Sequence, residues 1–458
     1  MYDLIVAGGG IAGLAVAEIF ARSGAKTLLL EGRDQLCSET SGLHHEWFHC
    51  GSLYSIFPNP QFLRTLVGGI DDLLVYYRDF DGMNLRVTAE GRLITIPRGE
   101  RGWLRDDTLD YAVATIKDPD FDQAGAVGLR EKFRRLRMKH SWNRVVQQFV
   151  ARHERFHDYD WRRGCASYYI PKLTLSDYLP RLSLPRFHHP AIRLDERSHL
   201  LEHSFDRPMR ASSIMCDLLR SFLSYGGQLR LGLALAHYES RGHAVQVTAV
   251  GADRSSEKLD AGQLIIATGR ALEHHTRLKV KVTASPLLVV YPAVFPGNVV
   301  RLIPFVEKTV NHLHHSVDGY SYSVIGGGYA APADDPEKQA VCRERLLQMA
   351  ETVFPAMAAA TVRETYMGYK SELISSGLKR NYLYRIEKIS PGVHAVVPGK
   401  FSLCFSLAVN TYRQITGHYP NTFVTYDRYA DVGGYVAQIR HRGVVQKALA
   451  ARVRHATV

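Results

Sequence analysis

Cysteine is scarce and scattered. The chain has six in 458 residues, at positions 37, 50, 165, 216, 342 and 404, and no two stand as Cys-x-x-Cys. That pattern excludes a disulfide framework and paired-thiol zinc modules, and it fits reduced thiols in a cytoplasmic protein. Long apolar runs are missing too. Residues 287–300 come nearest, and Pro292 and Pro296 interrupt them, short of the about 18 residues of a spanning helix. Membrane contact is therefore expected to be peripheral at most, at an inner face. No cleavable leader is expected, because an apolar strand starts at the amino end itself. No internal repeat, low-complexity stretch or nucleic-acid module is visible. The formal net charge of +12 then reads as a solvated basic surface or as attraction for an anionic small substrate, not for nucleic acid.

What is present begins at the first residues. Positions 4–13 read Leu-Ile-Val-Ala-Gly-Gly-Gly-Ile-Ala-Gly, and the next apolar run, Thr27-Leu28-Leu29-Leu30, closes on Glu31. This is a strand, a glycine turn, a helix over 11–22 and a second strand ending in an acid, the pattern that holds an adenine dinucleotide. Gly8 permits the tight turn, Gly10 lets backbone approach a pyrophosphate, and Gly13 lets helix lie close to strand. Ile11 and Ala12 open the helix, whose free N–H groups and partial positive charge favour phosphate. Glu31, followed by Gly32 and Arg33, is placed to accept from ribose hydroxyls.

The rest of the chain reads as α/β. An amphipathic helix is predicted over 212–224, with Ile214, Leu218, Leu219 and Phe222 on one face and Gly226-Gly227 behind it. Strands are predicted at 228–232, 244–250 and 263–267, and several more over 279–330. Asp334, Asp335 and Pro336 start a further helix to about residue 354, and 393–416 reads strand, Pro398-Gly399 turn, helix. Residues 80–200 show little period-2 pattern outside 84–96. The predicted architecture is a Rossmann-like nucleotide domain from 1–78, 200–278 and 365–430. An α+β substrate domain with a mixed or antiparallel sheet is inserted as 79–199 with 279–364. A basic helical tail follows at 431–458.

The glycine motif at Gly8, the acid at Glu31 and the strand ending in Ala267-Thr268-Gly269 together resemble FAD-binding proteins of the glutathione-reductase superfamily, GR2 type. More narrowly they resemble the branch of D-amino-acid oxidase and glycerol-3-phosphate dehydrogenase. Thr40-Ser41-Gly42 and His49-Cys50-Gly51-Ser52-Leu53-Tyr54 resemble the family's serine-rich loop and His-x-Gly-Leu-x-Tyr, which cross the flavin pyrophosphate and ring. Here the segment carries the extra residues His44 to Phe48. Tyr366-Met367-Gly368-Tyr369-Lys370 resembles the family's Gly-x-Arg segment, with lysine in place of arginine. Pro398-Gly399-Lys400-Phe401-Ser402-Leu403 opens a helix where the family sets a helix N-terminus against the flavin pyrimidine, although a more glycine-rich stretch is usual there. The resemblance implies bound FAD.

On that basis the flavin supplies the redox chemistry, and the protein must take a proton and stabilise a reduced flavin. A helix start at Lys400 to Ser402 would contribute about 0.3 to 1 kcal/mol, up to ~2 when partly buried. Histidine suits proton removal near neutral pH. His49, matching His-x-Gly, is the expected base and His45 the second choice. A covalent flavin link through His44, His45 or His49 is a further expectation. Lys370, Arg380 and Tyr382, the last two within the basic and aromatic run 379–385, are expected at the substrate, where they would grip an anion.

Three look-alikes are set beside this. His45-Glu46-Trp47-Phe48-His49 spells the zinc-protease His-Glu-x-x-His, which requires a helix; no metal is expected. Residues 325–331 mimic a second nucleotide turn, but Pro332 and Pro336 follow at once. Cys37 and Cys50 lack flavin-disulfide spacing. The expected activity is an FAD-dependent oxidase or dehydrogenase acting on a C–N or C–O bond of a small or sugar-like anionic substrate. Hydride would pass to flavin N5, with oxygen or an electron carrier as acceptor. A flavin monooxygenase and a non-catalytic, membrane-peripheral flavin scaffold are the alternatives.

Overall fold

The computed structural model describes residues 1–49, 60–87, 93–114, 187–194, 198–201, 206–302, 309–374, 383–428 and 431–456. Two large sheets organise them. The first strand, Tyr2–Ala7, lies at the centre of one sheet. It pairs in parallel with Thr27–Glu31 on one side and with the end of Ser256–Ile266 on the other. Gln228–Leu231 and Val393–Val397 extend that parallel set. Two-residue alternation is absent where the sheet is central: Leu4, Ile5, Val6, Leu28, Leu29, Leu264, Ile265 and Ile266 are all buried, as a parallel sheet covered on both faces requires.

The helix Ile11–Arg22 covers one face, against helices Ala211–Ser224 and Cys404–Thr416. Glu18 and Arg22, one helical turn apart, pair at 2.7 Å in full burial. Ser221 donates to Glu18, and Arg22 donates to the carbonyls of Tyr76 and Asn421, so both charges are compensated. The antiparallel strands Leu233–Arg241, Ala244–Gly251 and Ser256–Ile266 finish the other edge. The strand 233–241 escapes sequence reading because most of it is not buried, which leaves no clean two-residue alternation.

The second sheet is mostly antiparallel. Val280–Tyr291 is its spine, paired with Tyr320–Gly327 and, along its whole length, with Val362–Leu373. Val310–Val317, Asn298–Leu302 and Leu109–Ala114 continue it, the last two in parallel. The helix Pro336–Val353, capped by Asp335 accepting from the Lys338 N–H, packs on one face. The expected domain limit at 365 is corrected by this pairing: 362–373 belongs to the second sheet. The expected tail is corrected as well. Residues 435 and 437 bond to Leu36, and the helix Arg440–Ala456 seats Val444 and Val445 against Leu287, Val289, Tyr322 and Tyr366 on the sheet's other face. The glycines at 326–328 form no nucleotide turn: Gly326 and Gly327 end a strand, and the Asn311 side chain fills the space beside Gly326.

Among the described residues, no helix is long and apolar enough to cross a membrane.

Candidate active site

The glycine turn has the shape that a dinucleotide requires. Gly8 has φ +106, and a Cβ there would stand 2.6 Å from the Ala267 carbonyl oxygen. A Cβ on Gly13 would stand 1.9 Å from the Gly8 carbonyl oxygen and 3.2 Å from the Ala267 Cβ. A Cβ on Gly10 would meet, among the described residues, only Ser41 Oγ at 3.5 Å, so the space over the helix start is open. The helix begins at Gly10 in extended conformation without a side-chain cap on that residue. Its first N–H, from Ile11, donates to Ser41 Oγ at 3.0 Å. Ser41 belongs to the turn Thr40–Gly42, and Gly42 is held tight against the Cys37 carbonyl.

Glu31 is aimed by the backbone. It accepts from Gly9 N–H at 2.7 Å and from Arg33 N–H at 2.9 Å. Gly32 leaves room for Ala234, and Arg33 pairs with Glu39, which also pairs with Arg270. Across the turn, Ala267 N–H donates to the Ala7 carbonyl, and Thr268 leads into Gly269 at φ +56. These contacts fit an adenine dinucleotide: an open helix start, an oriented carboxylate beside it and glycines where any Cβ would collide.

The histidine segment follows. Residues 44–49 form no helix; Trp47–Phe48 is a short strand paired with Arg207–Pro208. The His-Glu-x-x-His reading therefore fails, since its two histidines need one helical face. The segment lies against the turn at 399–402, where Gly399 has φ +65. The His44 ring stands edge-on to Phe401 at 4.8 Å, and Ser402 Oγ donates to the His49 carbonyl at 3.0 Å. Lys400 is in extended conformation before the turn Phe401–Leu403, which runs into helix Cys404–Thr416. Lys370 is on the strand Val362–Leu373, 3.4 Å from Ser285 Oγ, and a Cβ on neighbouring Gly368 would press on the Leu43 carbonyl at 3.0 Å. The structure thus gathers His45, His49, Lys370, Lys400 and Ser402. Arg380 and Tyr382 lie outside the described residues, as do Cys50 and the stretch Gly51 to Tyr54.

His49 gains a partner that the sequence does not advertise. Its Nδ1 is 3.8 Å from Asp206 Oδ2, and Asp206 is fully buried. The Tyr111 hydroxyl donates to the same oxygen at 2.6 Å. The Trp47 ring lies 4.2 Å from the imidazole. No spacing rule could find Asp206, because it is 157 positions away in sequence and sits in no motif. Burial pushes His49 down to about 4, with Lys400 acting in the same direction and Asp206 opposing. The ring is neutral at pH 7 and able to accept a proton. Burial likewise holds His45 well below its ordinary value, helped by His49 and His44.

These depressed values set a pH limit on stability. His312, in the second sheet, is pushed to about 3 by burial, and both its nitrogens are engaged, by the Gly297 carbonyl and Ser323 Oγ. Unfolded, each histidine takes a proton near 6.5; folded, His49 and His312 refuse it to about 4 and 3. The unfolded chain binds more protons in that window, so the stability present above pH about 6.5 is lost as pH falls towards those values. The midpoint of thermal unfolding is expected to drop steadily between pH 6.5 and 4, by an amount on the order of a few kcal/mol in stability. A midpoint unchanged across that window would remove the claim that these rings are buried neutral.

Fold and site define a two-sheet protein: a parallel sheet of the nucleotide-binding kind beside a mostly antiparallel one. The family model for FAD dependent oxidoreductases, DAO, matches residues 3–171. Over those residues the chain is similar to the FAD dependent oxidoreductases that the model describes. Among solved structures it is similar to glycine oxidase from Geobacillus kaustophilus, at 13% identity and TM-score 0.57, covering 95% of this chain and 98% of that one. It is similar to the open form of NikD, described as an unusual amino acid oxidase essential for nikkomycin biosynthesis, at 14% identity and TM-score 0.56, covering 95% and 97%. The L-alpha-glycerophosphate oxidase of Mycoplasma pneumoniae with FAD bound matches at 13% and 0.57, covering 94% and 97%. No curated protein matches the chain by sequence.

Proposed function

We propose that this protein oxidises a C–O or C–N bond of a small anionic substrate, with His49 as the base. The observation that carries the reading is the His49–Asp206–Tyr111 row, set beside Lys370 and Lys400. FAD, when bound, would supply the two-electron acceptor. Gly8, Gly10, Gly13 and the start of helix 11–22 would hold its pyrophosphate, and Glu31 its ribose. The turn at 399–402 would face its ring.

The chain's own residues handle the proton. With Nδ1 turned to Asp206, His49 Nε2 takes the proton from the substrate. Asp206 then stabilises the imidazolium, while Tyr111 fixes the carboxylate. The two groups stand 3.8 Å apart; contacts of this kind shorten when substrate closes the site. A neutral histidine backed by a buried acid suits an alcohol better than an amine. An ammonium can lose its proton to water near neutral pH, whereas an alcohol cannot. A hydroxy acid or a polyol phosphate is therefore favoured over an amino acid, with oxygen or an electron carrier taking the electrons onward.

The test is an anaerobic panel of hydroxy acids, glycerol 3-phosphate and amino acids, read by loss of the flavin's visible absorbance. Bleaching by an anionic alcohol is expected. Bleaching by amino acids alone would overturn the C–O preference, and no bleaching by either class would overturn the reading. Lys370 supplies the cation for the substrate. Replacing it with methionine is expected to raise KM about 10- to 100-fold, the worth of one charge-assisted contact, with flavin content and kcat little changed. An unchanged KM would place the anion elsewhere.

A covalent flavin is the finer form of the cofactor reading. His44 and His45 each hold a buried Nε2 without a hydrogen-bond partner among the described residues. A denatured mass raised by one FAD would establish the link; a bare polypeptide mass would remove it and leave the nucleotide site as argued.

A further inference from the structure

Three side chains that the oxidation does not use meet where three segments of the chain converge. Glu46 comes from the histidine segment, His315 from the strand Val310–Val317, and His441 from the first turn of helix Arg440–Ala456. All three are buried, and their candidate ligand atoms lie within 4.8 Å of one another. Glu46 Oε2 is 3.4 Å from His441 Nε2 and 3.7 Å from His315 Nδ1. Two ligands of one tetrahedral zinc, each at about 2 Å, stand roughly 3.3 Å apart. The spacings are those of groups around an ion, slightly relaxed.

The surrounding contacts prepare the donors. Glu46 Oε1 accepts from Ala211 N–H at 2.8 Å, at the start of helix Ala211–Ser224, which leaves Oε2 for another partner. Glu46 itself has φ +63, a left-handed backbone that a non-glycine residue rarely adopts without a role. The Tyr322 hydroxyl lies 2.8 Å from His441 Nδ1. In the tautomer with its proton on Nδ1, the hydroxyl accepts that proton and the Nε2 lone pair faces Glu46, as with the outer partners of metal-bound histidines. Among the described residues, His441 Nε2, the nitrogen that faces Glu46, is buried and makes no hydrogen bond of good geometry. His312, three residues along the same strand, shows the contrast, with both nitrogens satisfied. Arg105 Nη1 approaches His315 Nδ1 at 3.5 Å. That is the outer limit of a hydrogen bond, and Asp107 already holds this guanidinium in a two-pronged pair.

We propose that Glu46, His315 and His441 bind a divalent transition-metal ion, zinc by preference. Two imidazoles and one carboxylate are a borderline donor set that suits zinc over magnesium or calcium. Three protein ligands leave one position for water. The ion ties the flavin-side loop and the carboxy-terminal helix to the second sheet.

The flavin-loaded protein is dialysed against zinc, desalted and assayed for metal by plasma mass spectrometry, beside the His441→Asn variant. The wild type is expected to retain a stoichiometric ion and the variant to lose it, with the flavin spectrum of both unchanged. A wild type that keeps no zinc, or a variant that keeps as much as the wild type, overturns the site. Cobalt substitution of the wild type decides the matter if the variant does not fold. Intense visible d–d bands are expected from a low-coordinate histidine site, and only weak bands would overturn it. Neither readout depends on turnover.

Discussion

Replacing His49 with asparagine is expected to lower kcat by about 10²- to 10⁴-fold, the usual worth of a positioned general base, while the protein keeps its flavin. The amide cannot take a proton from substrate, yet it fills similar space beside the Trp47 ring. The backbone carbonyl of residue 49 still receives the Ser402 hydroxyl, so the turn at 399–402 is left in place. Asp206→Asn is the companion measurement. It leaves the imidazole present but removes the charge that stabilises its protonated form, so kcat falls while KM stays near the wild-type value. A His49→Asn protein with kcat within a few-fold of wild type would take His49 out of the reaction.

The second large effect belongs to the glycine turn. Gly13→Ala is expected to abolish FAD retention. The added methyl would stand 1.9 Å from the Gly8 carbonyl oxygen and 3.2 Å from the Ala267 side chain. The first obstacle is backbone, with no rotamer to move. Helix 11–22 would have to slide away from the strand Tyr2–Ala7, taking its N–H groups off the pyrophosphate position. Gly10→Ala is the control, since its Cβ would meet, among the described residues, only Ser41 Oγ at 3.5 Å in the cofactor-free chain. It should fold normally and lose FAD only through the space the pyrophosphate needs. Far-ultraviolet circular dichroism separates the two variants from unfolding, and released flavin reports retention. A Gly13→Ala protein that holds a full complement of FAD would contradict the packing described.

What the sequence makes legible follows from the range of the interactions. The nucleotide half is legible because its signals are local. Gly8 to Gly13 sit within one turn, Glu31 closes the next strand, and Ala267-Thr268-Gly269 ends a buried strand. Helix 211–224 shows itself by its apolar face, and 336–353 by its Asp335 cap and Pro336. Helix Pro60–Tyr76 is left unassigned by the sequence reading, although Pro60 stands at its first position and its apolar residues recur at helical spacing. The limit at residue 365 fails because Val362–Leu373 takes its place only by pairing with Val280–Tyr291, a long-range fact. The catalytic row shows the same division. His49 stands in a recognisable segment, whereas Asp206 and Tyr111 reach it only through the fold. Likewise, His315 and His441 carry no local mark, and Glu46 is visible only inside a protease-like string that the backbone does not honour.

We propose that FAD lies along the turn Gly8 to Gly13 with its ring facing the segment that carries His49. The visible absorbance of the purified protein, recorded before and after adding FAD and desalting, tests it most directly. A yellow protein with an oxidised-flavin spectrum and stoichiometric FAD is the predicted result. A colourless protein that takes up no added FAD would contradict it.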